Sequence, residues 1–115
     1  MTQAAIDATT FEELKTTAGA EFVGELVDTF LAEAPMMLEE LRASLAAGDA
    51  ELFRRTAHSL KSNASTFGAT ALAGLARDLE LGGLDPVRAA AGAPLDAIER
   101  EFTRVAQALA ELKHA

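Results

Sequence analysis

The chain has no cysteine, no tryptophan and no tyrosine, and only three prolines in 115 residues. Without cysteine, both a disulfide framework and a thiolate metal site are excluded. The aromatic residues are all phenylalanine, so there is no Trp or Tyr to stack on bases or sugars. No apolar run reaches membrane-spanning length, and the opening MTQAAIDATTFEELK lacks the basic-then-apolar order of a signal peptide. Cations are scarce as well. Ten Lys and Arg stand against 18 Asp and Glu, and a net charge of −8 argues against a nucleic-acid backbone as the main partner. The expectation is a cytoplasmic protein with neither a nucleic-acid nor a membrane partner. Half of the residues are hydrophobic, enough for a packed core, and the length suits one domain over 1–115.

Val, Ile and Thr are sparse beside Ala, Leu and Glu, a helical composition. From Glu21 to Ala47, Phe22, Leu26, Phe30 and Val23, Val27, Leu31, Leu38, Leu41, Leu45 recur at three- and four-residue spacing. This predicts one helix, kinked at Pro35 and closed by Gly48. Asp49 is placed to cap a helix that runs to about Phe67 and stops at Gly68. A further helix covers roughly Ala69 to Leu81, with Leu72, Leu75 and Leu79 inward, and Gly82-Gly83 ends it. Leu84–Ala93 holds Pro86 and Gly92 and reads as a loop with room for a helical turn. The last helix, Pro94 to about Lys113, carries Leu95, Ile98, Phe102, Val105, Leu109 and Leu112 as one stripe. Thr9 or Thr10 before Phe11-Glu12-Glu13 reads as the cap of a short opening helix. The fold class is therefore all-α: an antiparallel four-helix bundle with a short additional N-terminal helix.

Charge is unevenly placed along this chain. Residues 1–51 carry eleven acids and two bases, whereas residues 52–77 carry Arg54, Arg55, Lys61 and Arg77 and no acid. Such a window is either ordinary surface charge or a face that meets an anion or an acidic partner. Helix phase bears on the choice. With His58 at zero and about 100° per residue, Phe53, Ala57, Leu60, Ala64 and Phe67 fall on the far side, toward the core. Glu51, Arg54, Arg55, Lys61, Ser62 and Ser65 lie around His58. The histidine thus points to solvent from mid-helix, among cations and small hydroxyls, and a core role is excluded by phase. Lys61 is one turn onward on the same face. His58 is ten residues before Gly68 and Glu80 twelve after it, so at about 1.5 Å per residue the two lie within a turn of one level. A carboxylate there would accept the Nδ1 proton and leave Nε2 as the nucleophile. Phase alone leaves Glu80 equally readable as a solvated acid near a helix end.

The run Ala57-His58-Ser59-Leu60-Lys61-Ser62-Asn63-Ala64-Ser65-Thr66-Phe67-Gly68-Ala69, with Leu72 and Leu79-Glu80, resembles the histidine-containing phosphotransfer (Hpt) domains of two-component phosphorelays. It is also similar to the N-terminal phosphotransfer domain of chemotaxis kinases. Phe30-Leu31-Ala32-Glu33-Ala34-Pro35, followed by Leu38 and Leu41, is similar to the helix that precedes the histidine helix in that family, and the resemblance covers roughly Glu21–Leu81. It implies that His58 accepts a phosphoryl group on Nε2 and that Lys61 helps hold and neutralise the phosphate. It further implies that Gly68 closes the histidine helix and that Glu80 sits beside the imidazole. One departure is Ser62, where the family commonly has Gly.

Phosphoryl transfer is mostly positioning plus charge neutralisation, usually with Mg²⁺. The residues around His58 are positive, so the chain is expected to hold no metal or cofactor of its own. Mg²⁺ would come with the acidic pocket of a partner, a response-regulator receiver domain or a hybrid histidine kinase. Arg54, Arg55, Ser62, Ser65 and Gly68 are the expected partner-binding residues. No Gly-rich nucleotide loop is present, so the chain is read as a phosphocarrier rather than an enzyme with a small-molecule substrate.

Other classes fit less well. A dimerising histidine-kinase helix has an acid directly after its histidine, where this chain has Ser59. A di-metal bundle needs Glu-x-x-His pairs, which neither His58 nor His114 offers. His114, next to last, reads as frayed. The main alternative is an unphosphorylated helical adaptor that binds a signalling partner through the basic His58 face.

Overall fold

The computed structural model describes residues 4–113. Six helices follow in order: α1 (Ala8–Ala18), α2 (Ala20–Ala47), α3 (Ala50–Thr66), α4 (Thr70–Gly82), α5 (Leu84–Ala89) and α6 (Ala93–Lys113). The four longest form a closed ring of neighbours, in which α2 packs on α3 and α6, and α4 packs on the same two helices. The predicted stripes face inward except at Phe22, which is 51% exposed. Val23, Val27, Phe30, Ala34, Leu38 and Leu41 of α2 are buried, as are Leu95, Ile98, Val105 and Leu109 of α6. Phe30 joins the layers, with its ring centroid 5.3 Å from that of Phe67 and 5.9 Å from that of Phe102.

The helix ends follow from local chemistry. α2 continues through Pro35, whose missing N–H forfeits one bond without ending the helix. Gly48 closes α2 in the left-handed conformation, and the Asp49 carboxylate then accepts the Leu52 N–H at 3.1 Å to open α3. At the other end of α3, Gly68 has φ +77° and is buried. Its carbonyl accepts the Asp7 N–H at 2.8 Å, so the N-terminal segment lies across the α3–α4 turn.

Two expectations are corrected here. The cap of α1 is neither Thr9 nor Thr10: Asp7 takes that role, its Oδ1 accepting the N–H groups of Thr9 and Thr10 at 3.0 and 3.3 Å. An acid accepts these bonds with full charge, which the helix dipole favours over a threonine hydroxyl. The segment read as a loop contains α5, with Leu84 and Val87 buried and Pro86 in the first turn, where its missing N–H costs nothing. The α2–α6 edge is fastened outside the core. Arg42 Nε donates to Glu99 Oε2 at 2.9 Å and its Nη2 to Asp96 Oδ1 at 2.6 Å. His114 lies outside the described residues.

Candidate functional site

α3 is amphipathic with a narrow apolar stripe. Phe53, Ala57, Leu60 and Ala64 have no accessible surface, and this fixes the rotation of the helix. His58, on the opposite face, has a side chain 54% exposed. The turn at Gly68 folds α4 back along α3 and brings Glu80 to the histidine.

Three side chains meet there. Glu80 Oε2 is 2.8 Å from His58 Nδ1, and Lys61 Nζ is 2.9 Å from Glu80 Oε1. An ionised carboxylate only accepts, so the imidazole proton is assigned to Nδ1 and the lone pair to Nε2. The Lys61 ammonium thus pairs with Oε1, an enclosed oxygen. Glu80 is only 14% exposed, in contrast to the solvated acid that phase alone allowed. The Lys61 ammonium first, and His58 after it, hold the Glu80 carboxyl below the usual carboxylate range against the desolvation that would raise it.

The other predicted residues sort into two groups. Arg54, Arg55, Ser62 and Ser65 share the exposed face with His58. Gly68 does not. A Cβ built on it would lie 2.8 Å from Thr10 Cβ and 3.1 Å from the Asp7 carbonyl oxygen, so the N-terminal segment covers it. Its place among the partner-binding residues is therefore corrected: Gly68 is the seat of an internal contact, and burial removes it from any docking face.

Two features escaped the sequence reading. Glu51 pairs with Arg54 at 2.8 Å and approaches Arg55 at 3.8 Å, so the acid just outside the basic window neutralises part of it. Spacing at i, i+3 and i, i+4 was the available signal. The second is a groove of about 160 Å³ between α2 and α3, lined by Leu26, Thr29, Phe30, Glu33, Asn63, Thr66 and Phe67. It flanks the α3 face that carries His58. Its α2 side follows helical spacing, but nothing local says that the helices part there.

This geometry coincides with a family pattern. The family model described as Hpt domain matches residues 25–115. The chain belongs to the Hpt domain family. The match extends past the stretch on which the sequence resemblance rested and takes in α6. No curated protein matches. Among solved structures, the crystal structure of histidine-containing phosphotransfer protein B (HptB) from Pseudomonas aeruginosa PAO1 is similar, with 32% identity and a TM-score of 0.87 over 98% of this chain and 97% of that one. That likeness includes α1, all of which the family model leaves out. Hpt domains are phosphocarrier modules of two-component phosphorelays, and histidine phosphotransfer is this chain's class of function. No helix among the described residues is long and apolar enough to cross a membrane.

Proposed function

We propose that this Hpt chain accepts a phosphoryl group on Nε2 of His58 from a receiver phospho-aspartate or a kinase, and passes it to a response-regulator aspartate. The observation that carries this reading is the 2.8 Å contact between Nδ1 and the Glu80 carboxylate on an otherwise exposed ring. The Nε2 lone pair attacks phosphorus, the N–P bond forms, and the bond from phosphorus to the aspartyl oxygen breaks, releasing the carboxylate. The ring then carries positive charge with its proton still on Nδ1, and Glu80 lies where that charge develops. In the reverse step the imidazole leaves neutral. Lys61 supplies the positive charge of the site, and the α2–α3 groove adds apolar surface for the partner beside Arg54, Arg55, Ser62 and Ser65.

Glu80, which contacts His58, and Glu51, on the same α3 face, are already paired with cations. They do not fit a divalent ion, so we place Mg²⁺ with the partner receiver and derive no step through it. We read the four long helices as an antiparallel bundle with α1 added at its N-terminal side; their closed ring of contacts supports this. A cytoplasmic location follows from the proposed partners.

The test is incubation with a phosphorylated receiver. Label should move to the chain as acid-labile, base-stable phosphate, and His58→Gln should receive none. Label that stays on the receiver while a complex forms would favour the adaptor instead.

A further inference from the structure

Ser62 stands where the Hpt family commonly has Gly, one helical turn beyond His58 on the exposed face of α3. Residues four apart on a helix are neighbours, with Cβ atoms about 5–6 Å from each other. Each Cα–Cβ bond tilts toward the helix N-terminus, so the Ser62 side chain leans back toward His58. The ring turns its Nδ1 to Glu80 on α4, which leaves Nε2 on the edge away from α4. At about 100° per residue, Lys61 falls about 60° to the α4 side of His58 and Ser62 about 40° to the other side.

The Ser62 hydroxyl is also uncommitted. Thr16, Thr66 and Thr103, each within a helix, donate to the carbonyl four residues earlier at 3.0, 3.1 and 3.2 Å. For Ser62 that carbonyl is the one of His58, and Ser62 leaves it alone: its hydroxyl has no hydrogen-bond partner among the described residues. The cations of the face are each engaged, Arg54 and Arg55 with Glu51 and Lys61 with Glu80.

We propose that the Ser62 hydroxyl is a ligand of the phosphoryl group on Nε2 and donates to one of its oxygens. The inference rests on reading His58 as the acceptor. A hydroxyl that meets an anionic oxygen makes a charge-assisted hydrogen bond, and a single side-chain torsion brings it there. Ser62 keeps its proton throughout. Nε2 forms the bond to phosphorus, the bond to the donor breaks, and the hydroxyl steadies the charge on the phosphoryl oxygens.

Ser62→Ala removes the donor at an exposed helical position, and Ser62→Thr retains it. Uptake from phosphoramidate needs no protein partner: Nε2 bonds to phosphorus as the phosphoramidate N–P bond breaks and ammonia leaves. Ser62→Ala should slow this uptake about fivefold, and Ser62→Thr should stay within about twofold of the parent. Titration of the phosphorylated chain by ³¹P NMR reads the contact itself. A donor on the phosphoryl oxygens favours the dianion, so Ser62→Ala should raise the phosphoryl pKa by about 0.7, the same fivefold. Uptake or phosphoryl pKa left unmoved by Ser62→Ala would overturn the proposal, as would a loss that Ser62→Thr shares in full. Variants altered only in transfer from a receiver would likewise overturn it and make Ser62 a partner contact. A parent chain that takes up no phosphoryl group would defeat the phosphotransfer reading and this proposal together.

Discussion

Replacing Gly68 by alanine should destabilise the protein far more than replacing Gly48, although the two share nearly the same backbone φ. Their φ values are +77° and +70°. An L residue held in the left-handed region costs about 1–2 kcal/mol, slightly offset by the narrower unfolded ensemble of alanine. The surroundings make the difference. At Gly48 an added Cβ meets only the end of the Arg88 side chain at 3.6 Å, whereas at Gly68 the new carbon meets Thr10 Cβ at 2.8 Å, Thr10 Cγ2 at 3.1 Å and the Asp7 carbonyl at 3.1 Å. Neither a backbone carbonyl nor a helix-bound Cβ can swing away as a flexible side-chain end would. Relief requires the N-terminal segment to lift, with loss of the 2.8 Å bond from the Asp7 N–H to the Gly68 carbonyl. Overpacking of this kind costs about 1–3 kcal/mol, so Gly68→Ala should lose about 2–5 kcal/mol in all.

Urea denaturation of both variants measures the difference directly, and the thermal midpoint should fall by about 4–8 °C for each kcal/mol lost. Thr10→Gly supplies an internal control. Alone it should destabilise α1, yet in the Gly68→Ala background it should recover part of the loss, because it removes the atoms that clash. If Gly68→Ala costs no more than Gly48→Ala, the N-terminal segment does not lie across the α3–α4 turn.

His58→Gln should leave stability within about 0.5 kcal/mol of the parent, because the ring is an exposed side chain; a variant that unfolds would contradict the helix phase, and one that accepts label would contradict the acceptor assignment. Arg54→Glu with Arg55→Glu should slow transfer chiefly through association and weaken its salt dependence, with the rate at saturating partner preserved; stopped-flow transfer against receiver concentration separates the two. Acid should destabilise the fold in a predictable window. Glu80, beside Lys61 and His58, and Glu99, beside Arg42, are both held below their ordinary value of 4.5. Their contribution is complete above that value and is lost as pH falls through the lowered ones. Arg42→Ala removes the Glu99 share, so its unfolding free energy should lie closer to the parent's in acid than at pH 7.

Most of the fold was legible because burial and period coincide. Phe53, Ala57, Leu60 and Ala64 repeat at helical spacing and are enclosed, so the side of α3 left to His58 could be read from sequence. Turn chemistry was equally plain at Gly48-Asp49, where a helix stop and a cap adjoin. Sequence reasoning failed where two local signals compete. Thr9 and Thr10 are capping residues by type, but Asp7 offers a charged acceptor two and three residues earlier, and the charged acceptor prevails. Pro86 and Gly92 read as loop punctuation, yet a proline in a first turn allows a short helix when Leu84 and Val87 have a core to enter. Gly68 was legible as a helix stop and illegible as a contact, since the residue that reaches it, Asp7, is far away in the chain.

The electrostatics of the site invert the simplest reading of the sequence. A window of four bases and no acid suggests an open positive face, but folding returns acids to it from both flanks. Glu51, one residue before the window, pairs with Arg54 and approaches Arg55, and Glu80, three residues after it, pairs with Lys61. The two contacts differ in kind. Glu51 is 64% exposed, so its pairs are screened and readily exchanged when an acidic partner arrives. Glu80 is 14% exposed and has an enclosed oxygen, so its pair persists. The face therefore divides into exchangeable cations at the α3 N-terminal end, which can steer association, and a fixed network at the histidine, which can set the state of the ring. Long-range attraction and local chemistry are assigned to different residues, and substitutions at Arg54 and Arg55 should leave the ¹⁵N shifts of the His58 ring unchanged.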